Sequence, residues 1–168
     1  MARDSLQTVE QTARTAINEL RGLLGVLRAD ADPDLRVAPG LSDLPELFDN
    51  ARAAGVEVSH GVYGSPREVS SAVALSAYRV VQEALTNVVK HAGAHHVDVR
   101  MRFLDNALEL EIADDGHGSA AAGSGFGLVG MRERLAVHGG SLEAGPRRDA
   151  GYLVRASLPT ASGSEETA

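Results

Sequence analysis

The sequence predicts an α+β fold, a two-layer sandwich of helices on a sheet, preceded by a long N-terminal helix. Three observations predict it. Apolar residues recur at helical spacing in residues 3–29 and again in residues 67–92. Other short segments alternate apolar and polar residues, as half-buried strands do. Most of these strands follow one another through short turns, which favours antiparallel pairing under a layer of helices.

The composition excludes several classes of protein. The 168 residues carry a net charge of −7, which argues against direct, nonspecific binding of nucleic acid. The sequence has no cysteine, so it cannot form disulfides, cysteine zinc sites or iron–sulfur clusters. No apolar run reaches the roughly 20 residues that span a bilayer, and no signal region opens the chain. We therefore expect a cytoplasmic domain, although the full-length parent could still be anchored in a membrane.

Residues 3–29 are expected to form one long helix. Its apolar residues alternate three and four positions apart, a heptad seam that requires a partner helix. No N-cap signal opens this helix, so we expect it to continue a longer helix of a larger protein. The alternative is a terminal helix that packs on its own domain. Asp30–Pro33 ends the helix, which gives a first domain over residues 1–32.

A second domain is predicted over residues 33–159. It begins with a helix at about 43–54 and a strand at 56–63. Ser65-Pro66-Arg67-Glu68 then has the pattern of a capping box with Pro at the first helical position. We expect the helix that follows to run over 67–92, where Gly93 ends it.

The rest of this domain is expected to hold four strands and one more helix. A loop rich in Gly, Ala and Ser, residues 116–126, precedes the helix. Residues 160–168 have the composition of a disordered tail. The strands are predicted at 97–103, 108–112, 141–144 and 152–158, and the helix at 127–138.

The helix 67–92 carries the first candidate site. Glu83, Asn87 and Lys90 fall within about 60° of one another on a helical wheel, beside the apolar face. The amide oxygen of Asn87 is a hard ligand that suits Mg²⁺. The ammonium of Lys90, the one lysine of the chain, can neutralise phosphate. The alternative is a polar stripe on a solvated helix face.

Two glycine-containing segments form the other candidate sites. Residues 114–118, DDGHG, directly follow a strand, where a carboxylate can accept a hydrogen bond from an exocyclic amine and the glycines admit a flat base. A plain glycine turn is the alternative. Residues 123–130, GSGFGLVG, open a helix, whose free N–H groups bind anions. Its match to the GxGxxG dinucleotide fingerprint fails, because no apolar strand precedes it and no βαβ unit follows.

Histidines near the first site invite a zinc hypothesis. His91 and His95 are four residues apart, with His96 adjacent. Gly93 interrupts the helix between them, and no third ligand has suitable spacing. Loop histidines are the better interpretation.

Together, the order and spacing of the three segments resemble the two-component sensor histidine kinases. Residues 78–92, YRVVQEALTNVVKHA, closely resemble the N box of that family. Residues 115–118 resemble its first glycine box, and residues 125–135 resemble the second. This sequence pattern is typical of the subfamily that pairs with response regulators carrying LuxR-type helix-turn-helix domains. The helix 3–29 resembles the second helix of the family's dimerisation and phosphotransfer hairpin.

The resemblance implies a Bergerat-type ATP-binding fold, with ATP and Mg²⁺ as its ligands. By analogy Asn87 is the metal ligand, Glu83 and Lys90 are catalytic, and Asp115 binds the adenine amino group. Lys90 would also contact phosphate. The other implied nucleotide-binding residues are Asn87, His91, Gly116, Gly118, Gly125, Gly127 and Leu128.

The resemblance also implies a reaction and partners. The intact protein would transfer the ATP γ-phosphoryl group to a histidine of the hairpin, and then to an aspartate of a LuxR-type response regulator. It would be a homodimer through a four-helix bundle. The acceptor histidine lies on the hairpin helix that this chain lacks, so we expect no autophosphorylation. The alternatives are a degenerate nucleotide-sensing module and a serine kinase or ATPase on the same fold.

Overall fold

A mixed sheet of five strands organises the part of the chain that the structure describes. The computed structural model describes residues 38–117 and 126–160, which belong to one unit, Ala38–Ala168. The strands are ordered β1-β2-β3-β5-β4 across the sheet. β1 runs parallel to β2, and the other neighbouring strands are antiparallel. Their bounds are β1 Glu57–Gly64, β2 His96–Phe103, β3 Ala107–Asp114, β4 Ser141–Pro146 and β5 Tyr152–Pro159.

Three helices bury one face of this sheet. They are α1 Leu44–Ala53, α2 Ser71–Asn87 and α3 Phe126–Ala136. Alternate residues of the central strands are buried, so one set faces the helices. The register aligns these sets across β2, β3 and β5, for example Val99 beside Ile112 and Ile112 beside Val154. This confirms the predicted α+β sandwich.

The opposite face of the sheet is polar. Arg100 pairs with Asp98 at 2.7 Å and with Glu111 at 3.7 Å, and Arg155 pairs with Glu111 at 2.8 Å. These side chains are partly or well exposed, so each pair adds only about 0–1 kcal/mol to stability. These charged side chains make this face of the sheet polar and accessible to solvent, whereas the opposite face is buried under the helices.

The start of α2 differs from the prediction. The helix begins at Ser71, and Ser70 caps it by accepting a hydrogen bond from the Val73 amide at 3.2 Å. The predicted start at Ser65 was wrong because tertiary contacts hold residues 65–70 outside the helix. Arg67 donates to the Asp105 carbonyl at 2.8 Å, which ties this segment to the β2–β3 turn.

The end of α2 agrees with the prediction but is wider than a regular helix. Residues Val88–Ala92 form one π-helical turn, and Gly93 ends it with a φ of +57°. Such turns are rare, and they are frequent at functional sites. Lys90 and His91 lie in this turn.

Several predictions fall outside the described residues. They concern the long helix 3–29, Gly118 and Gly125 of the loop, and the tail from residue 161. None of the helices that the structure describes is long and apolar enough to cross a membrane. The domain boundary at residue 32 stays a prediction.

Candidate functional site

The end of α2 lies against the turn that follows β3. The His117 amide donates to the Ala92 carbonyl at 3.0 Å. A side chain at position 116 would collide with the same carbonyl, so Gly116 permits this close approach. The first and second candidate sites, about 25 residues apart in the chain, are therefore adjacent in the fold.

The start of α3 lies against the middle of α2. A side chain at position 127 would collide with the Glu83 carboxylate, which is half-buried. Glu83 therefore lies beside the first turn of α3, where the free N–H groups and the helix dipole favour negative charge. The Leu128 side chain is buried in the core with Met131 and Leu135, so only its backbone is available to a ligand.

The contacts at Ala92 and Glu83 bound one stretch of surface along α2 and its π turn, which is called the cleft below. They are nine residues apart, which corresponds to about 13 Å along a helix. An extended nucleoside triphosphate has a similar length. The turn at Gly116 lies at one end, and the helix start at Gly127 lies at the other.

Asn87, Lys90 and His91 lie between these two ends in sequence. Asn87 is half-buried at the last residue of α2, whereas Lys90 and His91 are exposed. Lys90 also lines a largely apolar groove of about 300 Å³ between α1 and α2, with Leu47, Leu85 and Val89. Because the π turn departs from 100° per residue, it changes the angle between Asn87 and Lys90 that a regular helix predicts.

Asp115 has a partner that the sequence did not reveal. Its exposed carboxylate accepts hydrogen bonds from the His95 and His96 amides, both at 2.9 Å. The His96 amide is the main cause that lowers the pKa of the Asp115 carboxyl. Asp115 thus ties the start of β2 to the end of β3. Its contact with adenine stays a prediction, and one oxygen is already engaged.

Asp114 is the acidic residue that sequence reasoning missed. It is only 5% exposed and continues the buried face of β3 after Leu110 and Ile112. Its Oδ1 accepts from the Gly116 amide at 2.8 Å and from the Tyr152 amide at 3.2 Å. Within the described residues no donor lies on Oδ2. The period of two along β3 could have found it, because it places position 114, and not 115, on the helix-facing side.

No group of three or more His, Asp or Glu side chains among the described residues could hold a metal ion by itself. The zinc hypothesis for His91, His95 and His96 therefore gains no support from this part of the chain. A site built on Asn87 would need oxygen ligands from a phosphate chain and water, which is how proteins commonly hold Mg²⁺.

Comparison with known proteins decides the family. Residues 72–162 match the family model described as histidine kinase-, DNA gyrase B-, and HSP90-like ATPase. The chain belongs to this family. The match contains Glu83, Asn87, Asp114 and Gly127, so the cleft along α2 lies within the ATPase domain.

The relatives of this ATPase domain are sensor histidine kinases. The sensor histidine kinase LnrJ of Bacillus subtilis is 34% identical, over 96% of this chain and 39% of its own length. UhpB of Salmonella typhimurium, a signal transduction histidine-protein kinase/phosphatase, is 35% identical over 94% of this chain and 31% of its own. This chain thus spans well under half the length of these curated relatives.

Solved structures agree on the fold. The ATP-binding domain of PrrB from Mycobacterium tuberculosis has a TM-score of 0.53 and 25% identity, over 71% of this chain and 95% of that domain. The blue-light activated histidine kinase EL346 of Erythrobacter litoralis has a TM-score of 0.60 and 20% identity, over 73% of this chain and 42% of that one. These likenesses confirm the resemblance found in the sequence. The chain is an ATPase-family domain similar to the ATP-binding domains of sensor histidine kinases, and the serine kinase alternative is not favoured.

Proposed function

We propose that this domain binds Mg²⁺ and ATP in the cleft along α2 and supplies the γ-phosphoryl group to a histidine of the full-length kinase. One observation carries the proposal. Gly116 lies close to Ala92 and Gly127 lies close to Glu83, so both glycine segments come to the helix that carries Asn87. If the two glycine segments were plain turns, nothing would require both of them to lie against the same helix.

At the base end, Asp114 is the better candidate for the adenine contact. Two backbone amides hold its Oδ1, and this arrangement leaves Oδ2 as an acceptor that can face a ligand donor. The 6-amino group of adenine is such a donor, whereas the 6-oxo group of guanine is not. Asp115 keeps its predicted place in the same turn but uses its carboxylate to hold His95 and His96. Gly116 lets the base approach the backbone.

At the phosphate end, the residues present fit a magnesium–phosphate complex. Asn87 would give one amide oxygen to Mg²⁺, and the metal would supply charge neutralisation of the phosphates. Lys90 and His91 are exposed and would contact the phosphates, and Gly118, Gly125, Gly127 and the backbone of Leu128 would border them. Glu83 would orient the reacting groups. Catalysis would rest on positioning and electrostatic stabilisation.

The reaction's other participants belong to the parent protein. We propose that the parent is a homodimer, that its phosphorylated histidine passes the group to a response regulator of the LuxR type, and that this domain works in the cytoplasm. Support comes from the family and from relatives such as UhpB of Salmonella typhimurium and the oxygen sensor histidine kinase NreB of Staphylococcus carnosus. The heptad pattern of residues 3–29 supports dimerisation.

Calorimetric titration with a nonhydrolysable ATP analogue, with and without Mg²⁺, tests this function. We expect the wild-type chain to bind more tightly with Mg²⁺ and Asn87→Ala to lose the Mg²⁺-dependent part. Asp114→Asn should weaken binding by about 10- to 100-fold, because it replaces a charged acceptor. Asp115→Asn is the matched control, in the same turn, and should bind nearly as wild type.

Either of two results would overturn this assignment. A folded wild-type chain that binds no nucleotide would contradict the function itself. Loss of binding in Asp115→Asn but not in Asp114→Asn would restore the adenine contact to Asp115. Circular dichroism of each variant checks that it is folded.

A further inference from the structure

The turn between β4 and β5, residues 147–151, lies directly against Asp114. The Arg147 guanidinium donates from Nη1 to the Asp114 carbonyl at 3.0 Å. The Arg147 amide donates to the Gly151 carbonyl at 2.9 Å, which closes the turn. A side chain at Gly151 would collide with the Asp114 carbonyl, and Gly151 has a φ of +85°. The turn therefore needs glycine at this position to approach so closely.

The sheet itself does not fix Asp114 on the side of β5. The β3–β5 register ends at Ala113 beside Leu153, one residue before Asp114. Beyond that pair, Arg147 of the turn contacts the Asp114 carbonyl, and the amide of Tyr152, the first residue of β5, contacts the carboxylate at 3.2 Å. The position of Asp114 thus depends on the turn and on the strand start that follows it, more than thirty residues later in the chain.

The Tyr152 side chain also helps to fix the residues around Asp114. Tyr152 begins β5 on the side of Val154 and Ala156, which faces the helices, and it packs against the core. Burial raises the pKa of its phenol, and the charge of Arg132 on α3 opposes this shift. This packing fixes the start of β5, where the Tyr152 amide donates to Asp114.

We propose that Arg147 is a positioning residue for base recognition. By holding the Asp114 carbonyl and closing the turn, it keeps the Tyr152 amide on Oδ1 and directs Oδ2 toward the ligand. Arg147 would act through Asp114, whose carbonyl it holds, and not on the nucleotide itself. The proposal rests on the proposed function, and it adds that adenine selectivity depends on the β4–β5 turn.

The test compares Arg147→Ala with Arg148→Ala in the full 168-residue chain. Arg148 is the matched control, because it is exposed in the same turn and forms no hydrogen bond or ion pair with the other described residues. The dissociation constants of ADP and GDP are measured by displacement of a fluorescent nucleotide. We expect Arg147→Ala to weaken ADP about tenfold and GDP little, because guanine has a carbonyl oxygen in place of the 6-amino group that would donate to Oδ2. Arg147→Lys should recover part of the ADP affinity.

Hydrogen exchange gives a second measurement, of the hydrogen bond from the Tyr152 amide to Asp114 itself. Hydrogen exchange of the Tyr152 amide should accelerate in Arg147→Ala and stay unchanged in Arg148→Ala. If Arg147→Ala fails to fold, Arg147→Gln carries the same comparison.

The outcomes separate this proposal from the function on which it rests. A wild-type chain that binds no ADP overturns both. Wild-type binding that falls in Asp114→Asn but not in Arg147→Ala overturns the role of Arg147 alone. Equal weakening of ADP and GDP in Arg147→Ala also overturns it, because a general loosening of the cleft would not discriminate between bases.

Discussion

At the scale of single residues, the adjacent acids Asp114 and Asp115 show what a sequence motif leaves open. Both precede the same glycine, and both resemble a base-binding carboxylate. The structure separates them by strand parity: Asp114 is buried on the helix side of β3, and Asp115 is exposed and holds two backbone amides of residues 95 and 96. The alternation of strand residues between the two faces of the sheet is local and can be predicted from the sequence. The amide partners of Asp115 depend on the pairing of distant segments.

The glycines of the cleft give a sharp test at this scale. Gly116→Ala places a methyl group on the Ala92 carbonyl, a backbone atom that cannot rotate away. We expect it to destabilise the domain by about 1–3 kcal/mol, as overpacking does, and to weaken nucleotide binding. Urea unfolding and titration with the ATP analogue measure the two effects.

Gly130→Ala is the control for this substitution. Gly130 lies inside α3 with no atom within 4 Å of the added methyl group. Alanine is the better helix former by about 1 kcal/mol, so this variant should be slightly more stable than wild type. A Gly116→Ala chain as stable as Gly130→Ala would show that the cleft tolerates a wider separation of α2 and the 115–117 turn.

At the scale of elements, alternation and helical spacing predicted most strands and helices to within a few residues. Boundaries failed where a contact distant in sequence decides them. Residues 65–70 carry a good capping box, but Arg67 bonds to Asp105 and the helix starts after Ser70. The parallel pairing of β1 with β2 and the π turn at residues 88–92 also have no local signal in the sequence.

The two competing caps give a prediction for α2. Ser70→Ala removes the acceptor for the Val73 amide and should cost about 0.5–2 kcal/mol of unfolding free energy. Ser65→Ala is the matched control, since Ser65 precedes the helix by several residues and is exposed. Thermal and urea unfolding of both variants measure the difference. A larger loss in Ser65→Ala than in Ser70→Ala would mean that the helix forms from Ser65 in solution.

At the scale of the whole molecule, the fold explains why the site could be predicted in parts but not assembled. The three segments along the cleft are each local patterns, and their family resemblance was visible in the sequence. Their mutual contacts, such as Glu83 with Gly127 and Ala92 with His117, join residues 25 to 44 positions apart. Nothing in the sequence of the β4–β5 turn predicts its contact with Asp114, and the sheet order brings the turn to the site.

The positions of the six histidines determine whether this chain can phosphorylate itself. Residues 1–59 contain no histidine, so the predicted hairpin helix offers no acceptor, and the six histidines lie at positions 60, 91, 95, 96, 117 and 138. In the described structure these occur in strands, turns and the π turn, not on a two-helix hairpin. Phosphoryl transfer needs the acceptor nitrogen in line with the γ-phosphate at near contact distance. We therefore expect ATP binding without self-phosphorylation.

Incubation of the chain with radiolabelled ATP measures this expectation, with Asn87→Ala as the background control. No acid-labile phosphate above that background should appear on the protein. Labelled protein that Asn87→Ala abolishes would mean that one of the six histidines accepts the phosphoryl group, and digestion would identify it. His91 would then be the first to substitute, because it lies in the π turn at the cleft itself. An unlabelled chain that binds ATP instead locates the missing step outside this domain, where the heptad pattern of residues 3–29 predicts the hairpin and its partner.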